Sequence, residues 1–167
     1  MRHSIFIFSL FLLMTGCKSC KYSLSGINIP ADVKSISIKY FDNKASLVNP
    51  LLSQKFTEQL KDKFIKETSL AVVAEEGDFK LSGFITEYKI ESVGITANTG
   101  TSKNRFTMSV SAVFECPKHK ELNFTETISR FQEFDASQNF QSIENSLSDE
   151  VSRQIIQEIF NKIALKW

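Results

Sequence analysis

The sequence predicts an α+β domain, a two-layer sandwich with two helices on one face of a four-stranded, mostly antiparallel sheet in the order β-α-β-β-β-α. Three observations carry that prediction. Apolar residues recur every four positions in two separate stretches, Leu52, Phe56, Leu60, Phe64 and then Ile143, Leu147, Val151, Ile155, Ile159, Ile163, the mark of amphipathic helices. Between them lie three stretches of strict alternation parted only by polar turns, which reads as a meander. A lone alternating stretch precedes the first helix. Consecutive strands joined by short turns must pair antiparallel, so a doubly wound parallel sheet is excluded.

The chain starts with a segment that is not expected to fold. Residues 1–16 read MRHSIFIFSLFLLMTG, with a basic start at Arg2, an apolar block from Ile5 to Met14, and the small residues Thr15 and Gly16. This is the layout of a secretory signal peptide, and the apolar block is about half the ~20 residues that a spanning helix needs. "MTGC" resembles the bacterial lipobox, in which cleavage falls before a cysteine that carries diacylglycerol. Cys17 is therefore the expected lipid attachment site. More than one acyl chain at one residue gives stable membrane anchoring, at about 0.8 kcal/mol per buried methylene.

Loss of residues 1–16 removes Arg2 alone among the charged side chains and leaves 19 basic against 19 acidic residues. Such balance gives no global attraction to nucleic acid or to anionic lipid. The remaining length suits one domain, residues 33–167, preceded by an extended leader over 17–32 rich in Ser, Gly and Pro. Export places Cys20 and Cys116 where a bridge persists. The two are either a disulfide, if their α-carbons come within about 7 Å, or two separate thiols.

Within the domain, VKSISIKYF (33–41) places Ile36, Ile38 and Tyr40 on one face and Ser35, Ser37 and Lys39 on the other, a half-buried strand. FDNKASLVNP turns the chain, and Asn49-Pro50 fits an N-cap followed by proline at the first helical position. The first helix runs to about Glu67. A short apolar run, LAVVA, is broken at Glu75 to Asp78, and alternation resumes at Phe79, Leu81, Gly83 and Ile85, with Gly83 expected where something large packs across the strand. The polar cluster GITANTGTSKN separates this strand from RFTMSVSAVFEC, forming a hairpin; PKHKE then turns into LNFTETISRFQEF, and the long second helix closes the chain.

Motifs for chemistry are absent. The chain carries no Gly-rich phosphate loop, no HExxH and no GxSxG. "CKSC" begins with the lipid-site cysteine and is not a redox pair. Cys116 and His119 supply two ligands where structural zinc takes four, so no metal, cofactor or catalytic residue is expected. Asn123 in "NFT" is a chance glycosylation triplet inside a strand. Twelve phenylalanines remain after residues 1–16. Phe56, Phe64, Phe106 and Phe114 belong in the core. Phe131, Phe134 and Phe140, at the passage from last strand to last helix, either complete the core or form a partner-binding patch.

The stretches YSLSGINIPADVKSISIKYFDNKASLVNPLLSQKFTEQLKDKF, TSLAVV before GDFKLSGFITEY, and the closing EIFNKIALKW resemble the LptE-like lipopolysaccharide-assembly lipoproteins, Bacteroidetes branch, from about Cys17 to Trp167. The resemblance implies a lipid-anchored plug inside a large outer-membrane β-barrel, the LptD-like translocon, helping to assemble it and to insert lipopolysaccharide into the outer leaflet. It also implies no enzymatic activity and a two-helix, four-strand fold. Lys18 rather than Asp after the anchor cysteine implies retention at the inner leaflet of the outer membrane. Lys103 and Arg105, beside the 94–104 loop, are candidates for contact with phosphate or sugar. A free periplasmic lipoprotein acting as an envelope adaptor is the alternative.

Overall fold

The structure, a computed structural model, describes residues 26–47, 49–95 and 102–165. The expected signal peptide, Cys17, Cys20, residues 17–25 of the leader, the middle of the 94–104 loop and the last two residues lie outside the described residues. The elements are β1 (Ser35–Ile38), β2 (Asp42–Asn43), α1 (Leu52–Glu67), β3 (Ala71–Val73), β4 (Phe79–Ile95), β5 (Ser102–Glu115), a 3₁₀ turn (Lys120–Leu122), β6 (Phe124–Asp135) and α2 (Phe140–Ala164).

The α+β class and both helices are as the sequence predicts, but the sheet has six strands, not four, and is mixed. Its order is β3-β1-β4-β5-β6, with β2 also paired to β4. β4, β5 and β6 form the antiparallel meander, while β1 pairs parallel with both β3 and β4. The parallel half follows from α1. A helix between two adjacent strands is the crossover that parallel pairing requires, so β1-α1-β3 closes as a βαβ unit. β3 is the apolar run of Ala71 to Val73, which at three residues is too short to display a period.

Reaching β4 from β3 obliges residues 74–78 to cross β1, because β1 lies between the two strands. A Cβ at Gly77 would sit 2.8 Å from the Ile36 carbonyl carbon and closer still to the Ser37 amide nitrogen, so only glycine passes there. The crossing buries Ser37, whose hydroxyl donates to the Phe79 carbonyl at 3.4 Å. Asp78 fastens the end of the crossing by accepting from the Lys34 and Ser35 amides at 2.8 and 3.2 Å.

β1 also ends earlier than its pattern suggests. Alternation stops at Ile38, leaving Tyr40 53 % exposed and turning Phe41 fully into the core. The Phe41 amide donates to Thr57 Oγ1 of α1 at 3.1 Å, and its ring lies across Gly83, as that glycine's position anticipates. Asn49 works as a turn cap, Oδ1 accepting from the Leu51 amide at 3.1 Å, and α1 begins at Leu52.

Both helices cover one sheet face. Leu52, Phe56, Leu60 and Phe64 of α1 and Val151, Ile155, Ile159 and Ile163 of α2 are all buried against it. Phe64 and Phe160 bridge the two helices with ring centroids 5.3 Å apart. The other face of β4-β5-β6 carries Ser82, Ser111, Thr125, Thr127 and Ser129 together with Phe84, Val113 and Phe131, and no element packs on it among the described residues.

Candidate functional site

The long β4-β5 hairpin sets the geometry at one end of the domain. The fully buried residues end at Tyr88 on β4 and Phe106 on β5; residues 103–105 are still flanked by β6, while the β4 arm, residues 89–95, runs on past the core. Ile90 and Val93 on this projection are 37 % and 40 % exposed. Beneath it, the Tyr88 hydroxyl donates to Glu144 Oε1 at 2.7 Å, and Asn49 Nδ2 reaches the same oxygen at 2.9 Å. Burial first, and the Glu144 carboxylate second, push the Tyr88 phenol well above its ordinary range. This network ties the starts of α1 and α2 to the hairpin's root.

Lys103 and Arg105 stand on one side of β5, opposite Asp135 and Glu133 of β6. Arg105 is engaged within the protein: Nη2 pairs with Glu133 Oε1 at 2.6 Å, and the guanidinium lies 4.2 Å from the centre of the Phe131 ring. Its Nε is buried without a hydrogen-bond partner. Lys103 contributes to holding the Asp135 carboxyl below its usual range, after the Ser137 hydroxyl and amide that hydrogen-bond to it. The remainder of the patch is ionic, with Lys89 between Glu87 at 2.7 Å and Glu91 at 3.3 Å.

The three phenylalanines of the strand-to-helix passage divide. Phe134 packs on Phe140 and Phe140 on Phe106 in the core, as tilted rings with centroids 6.0 and 5.8 Å apart. Phe131 emerges on the open face, 52 % exposed. The split follows from strand alternation, since positions 131 and 134 differ by an odd number and point to opposite faces.

At the opposite end, a cluster that the sequence does not announce fastens the leader. The Asn28 amide donates to the Ala164 carbonyl at the end of α2 at 2.8 Å. Asp32 lies 3.0 Å from His119 Nε2, whose other ring nitrogen is 3.4 Å from Glu121. Lys118 donates to the Asp32 carbonyl at 2.9 Å and pairs with Asp78 at 2.7 Å. The hydrogen bond to Asp32 raises the His119 pKa, and Lys118 heads the causes that hold Asp78 far below the carboxylate range. Cys116, fully buried, begins this turn, and its amide donates to Asn123 Oδ1 at 2.7 Å. Its prospective partner Cys20, like Cys17, lies outside the described residues. The contacts of Asp32 with Lys118 and His119 join positions more than 80 residues apart, so no local pattern could have disclosed them.

A groove of about 670 Å³ opens on the sheet's open side where residues 74–76 cross β1, lined by Lys39, Tyr40, Glu75, Glu76, Lys80 and Glu115. Lys80 pairs with Glu76 at 2.8 Å. Among the described residues, no group of three or more His, Cys, Asp or Glu could hold a metal ion, and no helix is long and apolar enough to cross a membrane.

Comparison with solved structures finds the same fold at low sequence identity. A minor lipoprotein from Acinetobacter baumannii is 13 % identical with a TM-score of 0.52, covering 78 % of this chain and 92 % of that one. The protein XCC0632 from Xanthomonas campestris is 10 % identical with a TM-score of 0.52 and coverages of 78 % and 84 %. The hypothetical protein CT253 from Chlamydia trachomatis is 9 % identical with a TM-score of 0.50 and coverages of 78 % and 98 %. No curated protein matches by sequence. The family model described as "LptE: Lipopolysaccharide-assembly" matches residues 33–163, so by most of its length this chain belongs to the LptE lipopolysaccharide-assembly family.

Proposed function

We propose that this protein is a lipid-anchored, non-catalytic component of the outer membrane. It occupies the lumen of an LptD-like β-barrel translocon, helping to assemble that barrel and to pass lipopolysaccharide to the outer leaflet. The observation that carries the reading is the open sheet face of a lipopolysaccharide-assembly family member, which mixes Ser and Thr with Phe84, Val113, Phe131 and charged side chains and has no covering layer among the described residues. Wide membrane barrels have polar, water-filled interiors, and hydroxyl-rich strands can meet such a wall through many hydrogen bonds. Residues 1–16 act as the signal peptide and Cys17 as the anchor, and the leader meets the domain at the end opposite the projecting hairpin.

The hairpin root, with Lys103 and Arg105, is the candidate contact for phosphate or sugar. Arg105 would have to exchange Glu133 for the ligand, so Lys103 is the freer of the two. Charge reversal at both positions lowers lipopolysaccharide binding if they serve this role; unchanged binding removes them. Alkylation before and after reduction decides between a Cys20–Cys116 bridge and two thiols.

The whole reading is tested by detergent extraction and affinity purification of the native chain. A β-barrel of much larger mass copurifying at about one to one supports it. Copurification of other envelope proteins with no barrel supports the free adaptor instead. Mass spectrometry of the mature N-terminus finds acyl groups on Cys17 under either reading.

A further inference from the structure

β6 forms one edge of the sheet. It pairs with β5 over its whole length from Phe124 to Asp135 with no register shift, and no strand lies on its other side among the described residues. Exposed edges invite another strand, and proteins usually blunt them with proline, charged side chains, inward-pointing charges, a bulge or brevity; here the inward-pointing charges, Glu126 and Arg130, are each neutralised by a partner on α2. The opposite edge, β3, is three residues long. β6 is twelve residues long and contains no proline, glycine or lysine.

The charges beside this edge are ordered. Glu126 pairs with Lys162 of α2 at 2.8 Å, and Arg130 pairs with Glu158. The two ion pairs lie two residues to either side of Ile128, with opposite polarity. A two-fold axis through Ile128 would therefore set Glu126 of one chain beside Arg130 of the other, twice, and would bring the Glu158 level of one helix to the Lys162 level of the next.

We propose that the β6 edge accepts a second copy of this chain in antiparallel pairing, with the two-fold axis at Ile128. Thr127 then faces Ser129, Thr125 faces Phe131, Glu126 faces Arg130 and Phe124 faces Gln132. Moving the axis to Thr127 or Ser129 leaves Arg130 opposite Phe124 or Ile128. Moving it to Glu126 or Arg130 sets like charges face to face, which is destabilising. One register is thus charge-complementary, and the contact is self-complementary as a two-fold interface requires. With strands about 4.8 Å apart and α2 lying over β5 and β6, the two α2 axes come to about 10 Å, an ordinary helix-packing distance. The flank that meets there carries Gln154 and Asn161 beside Glu158; Gln154 donates to Glu150 at 3.1 Å and Asn161 Oδ1 accepts from Gln157 at 2.7 Å, which leaves the Gln154 side-chain carbonyl oxygen and the Asn161 Nδ2 to face the other chain. The dimer is independent of the barrel reading. A chain held one to one in a barrel has no second copy at this edge, so the dimer is the form without a barrel.

The test uses the full chain purified in detergent without a barrel. Light scattering on the eluting protein is expected to give twice the mass of one chain. Thr127 and Ser129 are exposed on the open face, so lysines at both leave the core intact while placing four ammonium groups around the axis. T127K/S129K is expected to halve the mass while the chain keeps its circular dichroism spectrum and a cooperative melt, at a temperature lowered by the loss of the dimer and of the Ser109–Ser129 hydrogen bond. Facing positions in such a pair have α-carbons about 4.5–5.5 Å apart, within disulfide range. Mixing a T127C chain with an S129C chain therefore yields a cross-linked dimer, severalfold more than T125C mixed with S129C, and the parental chain gives none. A parental mass of one chain at every concentration overturns the proposal. So does a dimer that survives T127K/S129K, or cross-linking indifferent to register. Purification of a barrel from cells bears on the function proposed above and leaves this measurement unaffected.

Discussion

Replacing Gly83 by alanine tests the packing that joins the sheet's two halves. The added Cβ would meet Phe41 Cε1 at 2.6 Å and the Ser111 carbonyl oxygen at closer range. Phe41 can move only by leaving a site where it is fully buried and packs against Phe56, with centroids 5.4 Å apart. Ser111 cannot move without opening the β4-β5 pairing, in which it lies beside the Gly83–Ala112 register. Overpacking costs about 1–3 kcal/mol, and a clash with backbone belongs at the upper end. Alanine's restriction of the unfolded chain returns about 0.5 kcal/mol. A net loss of ~2.5 kcal/mol corresponds to a melting temperature lower by roughly 5–10 °C for a domain of this size. Thermal unfolding followed by circular dichroism measures it. The double variant Gly83→Ala with Phe41→Leu separates the two clashes: because leucine vacates the ring's space, the double loss should be smaller than the sum of the single losses. A Gly83→Ala chain that melts within about 2 °C of the parent, or strictly additive losses, would refute this account of the packing.

The remaining expectations concern the polar ties. His119 has its pKa raised, first by Asp32, so its contribution to holding the leader is fully present below the ordinary histidine value and is lost as pH rises through the raised one. Asp32, with a lowered pKa, sets the acid limit, its contribution being lost only as pH falls through that lowered value. The protection factor of the Asn28 amide, with the base-catalysed intrinsic rate divided out, should fall as pH rises through the raised His119 value in the parent and show no such step in His119→Ala. Tyr88→Phe removes the donor to Glu144 and should lower stability by about 1–3 kcal/mol, read from urea midpoints at constant slope. Phe131→Ser should cost under about 1 kcal/mol in the urea midpoint, since the ring is half exposed.

The helices and the meander were legible because each repeats its period for long enough to be counted: six apolar positions in α2, and continuous alternation from Phe106 to Phe114 in β5. β1 was over-extended, since Tyr40 continues the alternation of Ile36 and Ile38 although the chain has already left the sheet to bury Phe41. β2 and β3, two and three residues long, have no period to count, and the parallel pairing that recruits them follows from α1 acting as a crossover. The surface was harder to read. Lys103 and Arg105 were found as cations near a loop, but the ring and carboxylate that occupy Arg105 sit on a neighbouring strand. The Asp32–His119 tie depends wholly on tertiary folding. The separation of Phe131 from Phe134 was available from parity alone.

Asn28 and Asp32 are held by the last turn of α2 and by the turn after β5. Under the anchoring proposed for Cys17, a pull from the N-terminal side would thus reach the fold through two footholds on different layers, one helical and one on the sheet. Load shared in this way resists the unzipping of either layer alone, and the domain could be tugged against a bilayer without first losing its edge strands.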